Sequence, residues 1–425
     1  MDILSTLPAP AERRLAVRVT RQAQQALRQG HPWLFDRSIV SQSAAGQPGD
    51  LAVIFDDRRR FLAVGLYDPA SPIRVRVLQH GSPATIDRDF FAGRLADAAQ
   101  RRAPLASTET TGYRLVHGEG DGLPGLVIDR YDRVLVMKLY SAAWLPHLPA
   151  LLDGLVDVAA ADWIVLRLSR AVQSQVAAHG IVDGATLAGE QPAGPLQFRE
   201  NGLRFEVDVL RGQKTGFFLD QRDNRAQVET LAAGKETLNV FAYTGGFSLY
   251  AARGGAPLVA SLDISAPALD AARRNFALND DAAAVAAVQR EFLAEDAFAG
   301  LARLAREGRR FDLVVVDPPA FAQQQAAIPG ALLAYERLTR LALGVLRSGG
   351  TLVTASCSSR VSEQEFFAAV RRGAARVARP LHEFAHTGHA LDHPVRFAEG
   401  AYLKCLYAVV DDDQRPGGIP TAPLP

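Results

Sequence analysis

The stretch LNVFAYTGGFSLYAA (238–252) decides the fold. An apolar strand runs into Thr244-Gly245-Gly246 and straight on into a helical pattern. Paired glycines allow a tight turn and a close approach of backbone to a ligand. Outward from this unit, from about Asp220, strands alternate with helices. Apolar, β-branched runs at 237–241, 259–262, 285–289, 313–316, 350–355 and 402–410 read as strands. The alternation predicts an open, mostly parallel α/β sheet of Rossmann-like type.

The chain before it reads differently. Residues 13–80 hold short runs with period-two alternation and one helical stretch, 21–29, that stops at Gly30 and Pro32. This suits a small β-rich module. Residues 86–195 combine a Gly/Asp/Pro turn cluster (118–125), strands at 113–116, 126–131, 134–140 and 163–168, and helical periodicity over about 144–160, an α+β pattern. A hairpin turning at Asn201-Gly202 joins this part to the last. Three domains are expected, at 1–85, 86–195 and 196–425, with a disordered tail from about 411.

Composition narrows the class. Hydrophobic residues make up 48% and charged residues 22% of 425, ordinary for a globular chain and unlike a disordered one. The net charge is +1 overall, but residues 1–80 carry 11 Arg, no Lys and 7 acidic groups, so that end is the expected polyanion contact. The only cysteines, Cys357 and Cys405, exclude a disulfide framework and a four-Cys zinc site, and no metal is expected. MDILSTLPAPAERR does not read as a signal peptide, and no run of 18 apolar residues occurs. A cytoplasmic protein without a membrane partner is expected; a homodimer is left open.

Four residues beyond the glycine turn bear chemistry. Asp263 ends the next strand, where a carboxylate accepts hydrogen bonds from ribose hydroxyls. The turn lacks G-x-G-x-x-G spacing, which favours S-adenosylmethionine (SAM) over a pyrophosphate cofactor; a purely structural turn with an exposed Asp is the plain alternative. In FDLVVVDPPAF (311–321) the prolines end a buried strand and stiffen a loop that holds Asp317 at the sheet's carboxyl edge, although a simple strand-ending turn fits the same residues. Asp296 is placed to receive an adenine amino group, or is a solvated loop residue. In TLVTASCSSR (351–360), Cys357 follows a buried strand amid serines, with Arg360 placed to favour a thiolate; an inert core thiol is the alternative. Cys405, inside a strand, reads as a core residue. Trp33 and Phe35 read either as packing in the small module or as contacts to RNA bases.

The motifs GHPWLF (30–35), GLYDPASPIRVRVL (65–78), YRLVHGEGDGLPGLVIDRY (113–131), KTGFFLDQRDNR (214–225), FAYTGGFS (241–248), VVDPPAF (315–321), SCS (356–358), DHPV (392–395) and FAEGAYLK (397–404) resemble, in order and spacing, the PUA-domain family of bacterial large-subunit rRNA cytosine-C5 methyltransferases, within the class I SAM-dependent superfamily. The resemblance spans about residues 15–410. It implies an RNA-binding PUA module, an α+β middle domain and a Rossmann-like methyltransferase domain acting on rRNA, 23S in particular. It also implies SAM contacts from Asp220, Gln221 and Arg222, from the turn bearing Phe241, Tyr243, Thr244 and Gly245, and from Asp263, Asp296 and Asp317, with Cys357 as nucleophile. One position departs from the family: Ala320 stands where D-P-P-K-F has lysine, which bears on the RNA contact there.

Carbon methylation of cytosine needs covalent help, because C5 is a poor nucleophile until a thiolate has added to C6. Asp317 is then available to hold the N3/N4 edge of the base. The rival readings are an rRNA N-methyltransferase acting on guanine or an exocyclic amine, which needs no cysteine, a non-catalytic RNA-binding protein, and a small-molecule methyltransferase. Cys357 separates the first reading from its rivals.

Overall fold

The computed structural model describes residues 3–177, 180–322 and 324–410. The chain forms two compact units. The first comprises residues 1–219 and a later segment, 391–400; the second comprises 220–390 and the chain from Ala401 on. The tail expected to be disordered from about 411 lies outside the described residues.

In the first unit six strands, Leu15–Val19 (β1), Trp33–Phe35 (β2), Ile39–Gln42 (β3), Leu51–Phe55 (β4), Phe61–Tyr67 (β5) and Ile73–His80 (β6), pair in the order β2-β6-β5-β4-β1-β3. Burial along β1 alternates strictly, so Leu15, Val17 and Val19 face a core with Leu34, Ile54, Leu62 and Val75. Helix Arg21–Arg28 (α1) starts where the Thr20 hydroxyl accepts the Ala23 N–H, and its Leu27 closes that core.

A second sheet, Gly112–His117 (β7), Leu126–Tyr131 (β8), Val134–Leu139 (β9), Trp163–Leu168 (β10) and Thr186–Gly189 (β11), runs in the order β11-β10-β9-β8-β7. Helices Arg88–Arg102 (α2) and Leu148–Val156 (α3) pack Phe91, Leu95, Leu148, Leu151 and Leu155 into its core with Trp144; Val172 of Arg170–Val176 (α4) joins them. The helix expected over 144–160 is shorter: a 3-10 turn, Ala142–His147, precedes α3, because Pro146 and Pro149 deny the backbone donors a continuous α-helix needs. The hairpin Leu196–Glu200 (β12) and Leu203–Val207 (β13) turns at Asn201-Gly202, both left-handed (φ 48° and 80°), and belongs to this unit.

The second unit is a seven-stranded sheet flanked by helices. Its strands are Thr237–Val240 (β14), Leu258–Asp263 (β15), Gln289–Ala294 (β16), Phe311–Val316 (β17), Leu346–Ser356 (β18), Leu381–Thr387 (β19) and Lys404–Val410 (β20), in the order β16-β15-β14-β17-β18-β20-β19. The first five are parallel; β20 is antiparallel to both β18 and β19. Between them lie Arg222–Leu231 (α5), Gly246–Arg253 (α6), Ala266–Ala277 (α7), Ala283–Ala287 (α8), Ala297–Arg306 (α9), Ile328–Val345 (α10) and Glu363–Ala375 (α11). Every residue of β14 is buried, as a strand covered on both faces requires. The chain leaves β14 for β15 on one side and returns on the other as β17, so strand order reverses between β14 and β17. Ligands bind beyond the carboxyl ends of strands at such a point.

Two further expectations need correction. Residues 283–287 are a short helix, not part of a strand; the alanine run favours helix, and β16 begins at Gln289, whose N–H reaches Pro257 O. Strand β19 was not expected at all. It is an edge strand whose inward positions, Leu381, Glu383 and Ala385, are only half-buried and include a carboxylate, while Phe384 faces outward, so its residue types do not follow its burial.

Candidate functional site

The turn after β14 concentrates backbone strain. Phe241 (φ 63°) and Tyr243 (φ 48°) are left-handed although neither is glycine, and Gly245 (φ 81°) follows. Left-handed non-glycine residues cost of order 1–3 kcal/mol each and survive only where surroundings over-determine them. Three bonds do so here: Asp263 Oδ2 accepts the Tyr243 N–H at 2.8 Å, Ala242 N–H reaches Leu262 O at 3.0 Å, and Asn275 Nδ2 of α7 donates to Thr244 O at 2.8 Å. Beneath the turn Asn239, Ser248 and Ser261 form a buried chain, Nδ2 to Oγ at 2.9 Å and Oγ to Oγ at 2.7 Å. Gly245 is required twice over. Its φ disfavours other residues, and an added Cβ would stand 2.9 Å from Ala272 Cβ. The close approach expected for a ligand is at this glycine an approach to α7.

Asp263, half-exposed, ends β15 as expected. Its Oδ1 accepts Ser265 N–H at 2.8 Å while Oδ2 holds Tyr243, so it shapes the turn and retains a lone pair on each oxygen. Thr244 Oγ1 is buried with no hydrogen-bond partner among the described residues. A strand-end carboxylate, an unsatisfied hydroxyl and a strained turn without a helix-borne phosphate cradle fit a ribose-bearing, phosphate-free cofactor. Asp296 is exposed, and one carboxylate oxygen caps α9 through Ala299 N–H at 3.0 Å; the structure shows it engaged with its own helix.

Asp317 lies one residue past Val316, which pairs with both Val240 and Thr354. Its N–H reaches Val240 O at 3.4 Å, placing it beside the strained turn. Its charge is felt by Tyr335, Cys405 and Tyr407. Cys357, half-buried, follows β18 at this same edge. Next to it Ser356 Oγ meets Tyr335 Oη at 2.8 Å, and Ser358 Oγ donates to Ala322 O at 3.2 Å. Burial pushes the Tyr335 phenol up to about 12. Lys404, opposite Ser356 in the β18–β20 register, buries its ammonium against Ser358 O, Val361 O and Tyr402 O. Arg360, expected to favour the thiolate, is exposed.

Cys405 pairs with Ala355, so a second cysteine does lie near the carboxyl edge. It is fully buried, and burial pushes its thiol up to about 12, which keeps it protonated at neutral pH.

The 220–222 segment is buried throughout. Tyr402 Oη donates to Asp220 Oδ2 at 2.9 Å. Gln221 Oε1 accepts Asn224 Nδ2 at 2.5 Å, and Asn224 Oδ1 in turn accepts Thr387 Oγ1 at 2.5 Å and Tyr407 Oη at 3.1 Å. The segment is thus bolted to β19 and β20, and Arg222 is 1% exposed. Sequence reasoning missed Asn224, Asn239, Asn275 and Lys404. Asn239 and Lys404 carried a signal, a polar residue between apolar neighbours; Asn224 and Asn275 stand beside charged residues and carried none.

In the first unit Trp33 is spent on protein. Its ring meets Phe397 edge-on at 4.9 Å and Phe35 at 6.3 Å, and Nε1 donates to Glu119 at 2.8 Å. An open groove of about 820 Å³ lies between α1 and the β4–β5 turn, bearing Arg21, Arg28, Arg58 and Arg60 with three glutamines. Buried Asp56 fixes Arg28 and Arg60, at 3.0 and 2.8 Å. The N–H groups of Arg60 and Arg58 and the Arg60 side chain hold its carboxyl well below the usual carboxylate range.

Comparison with known proteins agrees with this geometry. Residues 113–406 match the S-adenosylmethionine-dependent methyltransferase family and residues 17–80 match a PUA-like domain. The chain is 48% identical to the ribosomal RNA large subunit methyltransferase of Deinococcus radiodurans over 409 residues, 95% of this chain and 99% of that one. It is 38% identical to the ribosomal RNA large subunit methyltransferase I of Pseudoalteromonas translucida, over 91% and 96% of the two chains. A structure described as a SAM-dependent methyltransferase from Streptococcus mutans superposes with a TM-score of 0.78 at 21% identity, covering 93% of this chain and all of that one. A methyltransferase solved with S-adenosylhomocysteine (SAH) gives 0.79 at 22%, with the same coverage. The sheet order, the strained turn and the acidic strand ends thus have their explanation in descent: the chain belongs to the S-adenosylmethionine-dependent methyltransferases that carry an N-terminal PUA-like domain.

Proposed function

We propose that this protein methylates C5 of a cytosine in large-subunit ribosomal RNA, with Cys357 as a transient covalent nucleophile. The observation that carries this reading is the position of Cys357, half-buried directly after β18 at the sheet edge that also holds Asp317 and the strained turn. Bound SAM supplies an electrophilic methyl group. Asp263 and Thr244 would hold its ribose end, Asp220, Gln221 and Arg222 would contact it from the segment before α5, and Asp296 would receive the adenine amino group on the carboxylate oxygen not used to cap α9. The Cys357 thiolate forms a bond to C6 and makes C5 enamine-like; C5 takes the methyl group as the bond from that methyl to the sulfonium sulfur breaks and S-adenosylhomocysteine leaves. A base then removes the C5 proton, the C6–S bond breaks, and the thiolate leaves. Asp317 positions the N3/N4 edge of the base. The relatives' names supply the substrate class. The arginine groove by α1 gives the phosphate backbone a place to dock, and reaching a stacked base costs a few kcal/mol that such contacts offset.

RNA carrying 5-fluorocytosine tests the chemistry, because it offers no C5 proton to remove. The wild-type enzyme should stall as an adduct that survives a denaturing gel. Cys357→Ala should show neither adduct nor methyl transfer, while SAH affinity stays within a few-fold. Near-parental methylation by Cys357→Ala would overturn the covalent reading and leave N-methylation as the better one.

A further inference from the structure

Lys404 opens β20 and is 3% exposed. Its Nζ donates to Ser358 O at 2.5 Å, to Val361 O, and to Tyr402 O at 3.2 Å. Three N–H donors meet three carbonyls, so the ammonium is saturated. None of these acceptors is an anion, and Lys404 forms no ion pair with a carboxylate among the described residues. A buried ammonium left without a counter-charge is costly, and proteins rarely retain one for its own sake. Two of the carbonyls belong to the loop that starts at Cys357, and the residue opposite Lys404 in the β18–β20 ladder is Ser356, the neighbour of Cys357.

We propose that Lys404 is the positioning residue for the Cys357 thiolate: its clamped ammonium fixes the 357–361 loop and presents a positive charge to the sulfur. The inference rests on the reading of Cys357 as nucleophile and explains how a thiol at this edge ionises. Arg360, the cation that sequence alone suggested, points into solvent exposure and is screened there.

The charged and titratable groups around the pair act in a definite sense. Burial lowers Lys404 to about 8, while Cys357, Glu363 and Glu365 pull it back up, so it remains mostly protonated at pH 7. Glu363 and Glu365 start α11. Tyr335, from α10, stays protonated and neutral. Asp317, beyond β17, has the opposite sign and works against the thiolate. Reactivity of Cys357 therefore falls as pH drops through its own pKa, and above about pH 8 Lys404 loses the proton that supports it.

The test is alkylation of Cys357 by iodoacetamide in the full chain across pH, read by mass spectrometry of the Cys357 peptide. In the wild type the midpoint should lie below the ~8.5 of a free thiol. Lys404→Gln keeps N–H donors and removes the charge; Lys404→Met removes both. Each should raise the midpoint by about one unit or more and cut the rate at pH 7 by roughly tenfold, with SAH affinity unchanged by calorimetry. Arg360→Ala should move the midpoint far less. A profile unaltered in folded Lys404→Gln overturns the proposal, as does an Arg360→Ala shift that equals or exceeds it. If neither lysine variant folds, the wild-type midpoint decides: at or above ~8.5 the proposal is wrong. Failure of the underlying reading looks different. Cys357→Ala would then methylate RNA even though the wild-type thiol is acidic and Lys404-dependent.

Discussion

Two glycine-rich polar motifs, 113–131 and 241–263, look equally functional as sequence, and they turn out to be opposites. In the first, almost every polar group is consumed by the protein. Arg102 and Asp121, 2% and 1% exposed, form a bidentate pair at 2.8 and 2.7 Å; Arg114 grips buried Asp129 at 2.8 Å, and Glu119 holds Trp33. Gly120 is needed because Pro394 O would stand 2.1 Å from a Cβ. In the second motif the glycine and the carboxylate also do structural work, yet capacity is left over: Thr244 Oγ1 has no partner, and Asp263 has a lone pair remaining on each oxygen. Richness in glycine and charge marks backbone difficulty. Unspent hydrogen-bonding capacity, beside strain that the surroundings maintain, marks a site.

That contrast can be broken at three points. Arg102→Met leaves Asp121 with Arg101 alone and strands a buried carboxylate; the loss should be about 3–5 kcal/mol of unfolding free energy in urea, with SAH affinity retained in the folded protein. A loss below about 1 kcal/mol, the range of a surface pair, would mean that the first motif is not held for structure. Asp263→Ala should weaken SAH binding by about 10- to 150-fold, equivalent to roughly 1.5–3 kcal/mol. Asp263→Asn, which keeps an acceptor for Tyr243, should lose less; equal losses would assign the effect to charge rather than to the turn. The smallest effect belongs to the groove. Arg21→Ala and Arg58→Ala should each reduce the salt slope of RNA binding by about one and weaken affinity a few-fold at most. An unchanged slope in the double variant would remove the groove from the RNA contact.

The sheet was legible because its central strands are buried on both faces. Val314 and Val316 stand in an unbroken apolar run that the prolines after Asp317 end sharply, and Val240 and Leu262 lie in mainly apolar runs interrupted only by the small polar residues Asn239 and Ser261. The same rule failed at 285–289, where alanines look apolar but prefer helix, and at β19, whose half-buried stripe includes Glu383 while Phe384 faces outward. Asp263, Asp317 and Cys357 were legible as candidates because chain order places them after strands that must be parallel. Their supports were not. Lys404 looks like any lysine until the loop carbonyls that surround it are seen, and Asn275 and Asn224 act on backbone or side chains 31 and 183 residues away. Cys405 was read correctly as core, but only the β18–β20 register shows how near the edge it lies.

The segment 391–400 has a consequence for how the chain is made. It is drawn from between two adjacent strands of the second unit, yet it completes the first: Asp392 accepts the Arg114 N–H at 2.8 Å and the Arg102 guanidinium at 2.7 Å, and Phe397 covers Trp33. Arg102 is buried, and without this segment one of its acceptors, Asp392 O, and the cover over Trp33 are missing. During synthesis at about 5–20 residues per second, the amino-terminal unit waits, incomplete, while nearly the whole catalytic sequence is translated. Its buried charges are sealed only when residues close to the carboxyl end arrive. A fragment cut at residue 219 should accordingly be a poor stand-in for the intact unit, and the order of genes or domains in a fusion matters less here than the presence of ten residues from the far end.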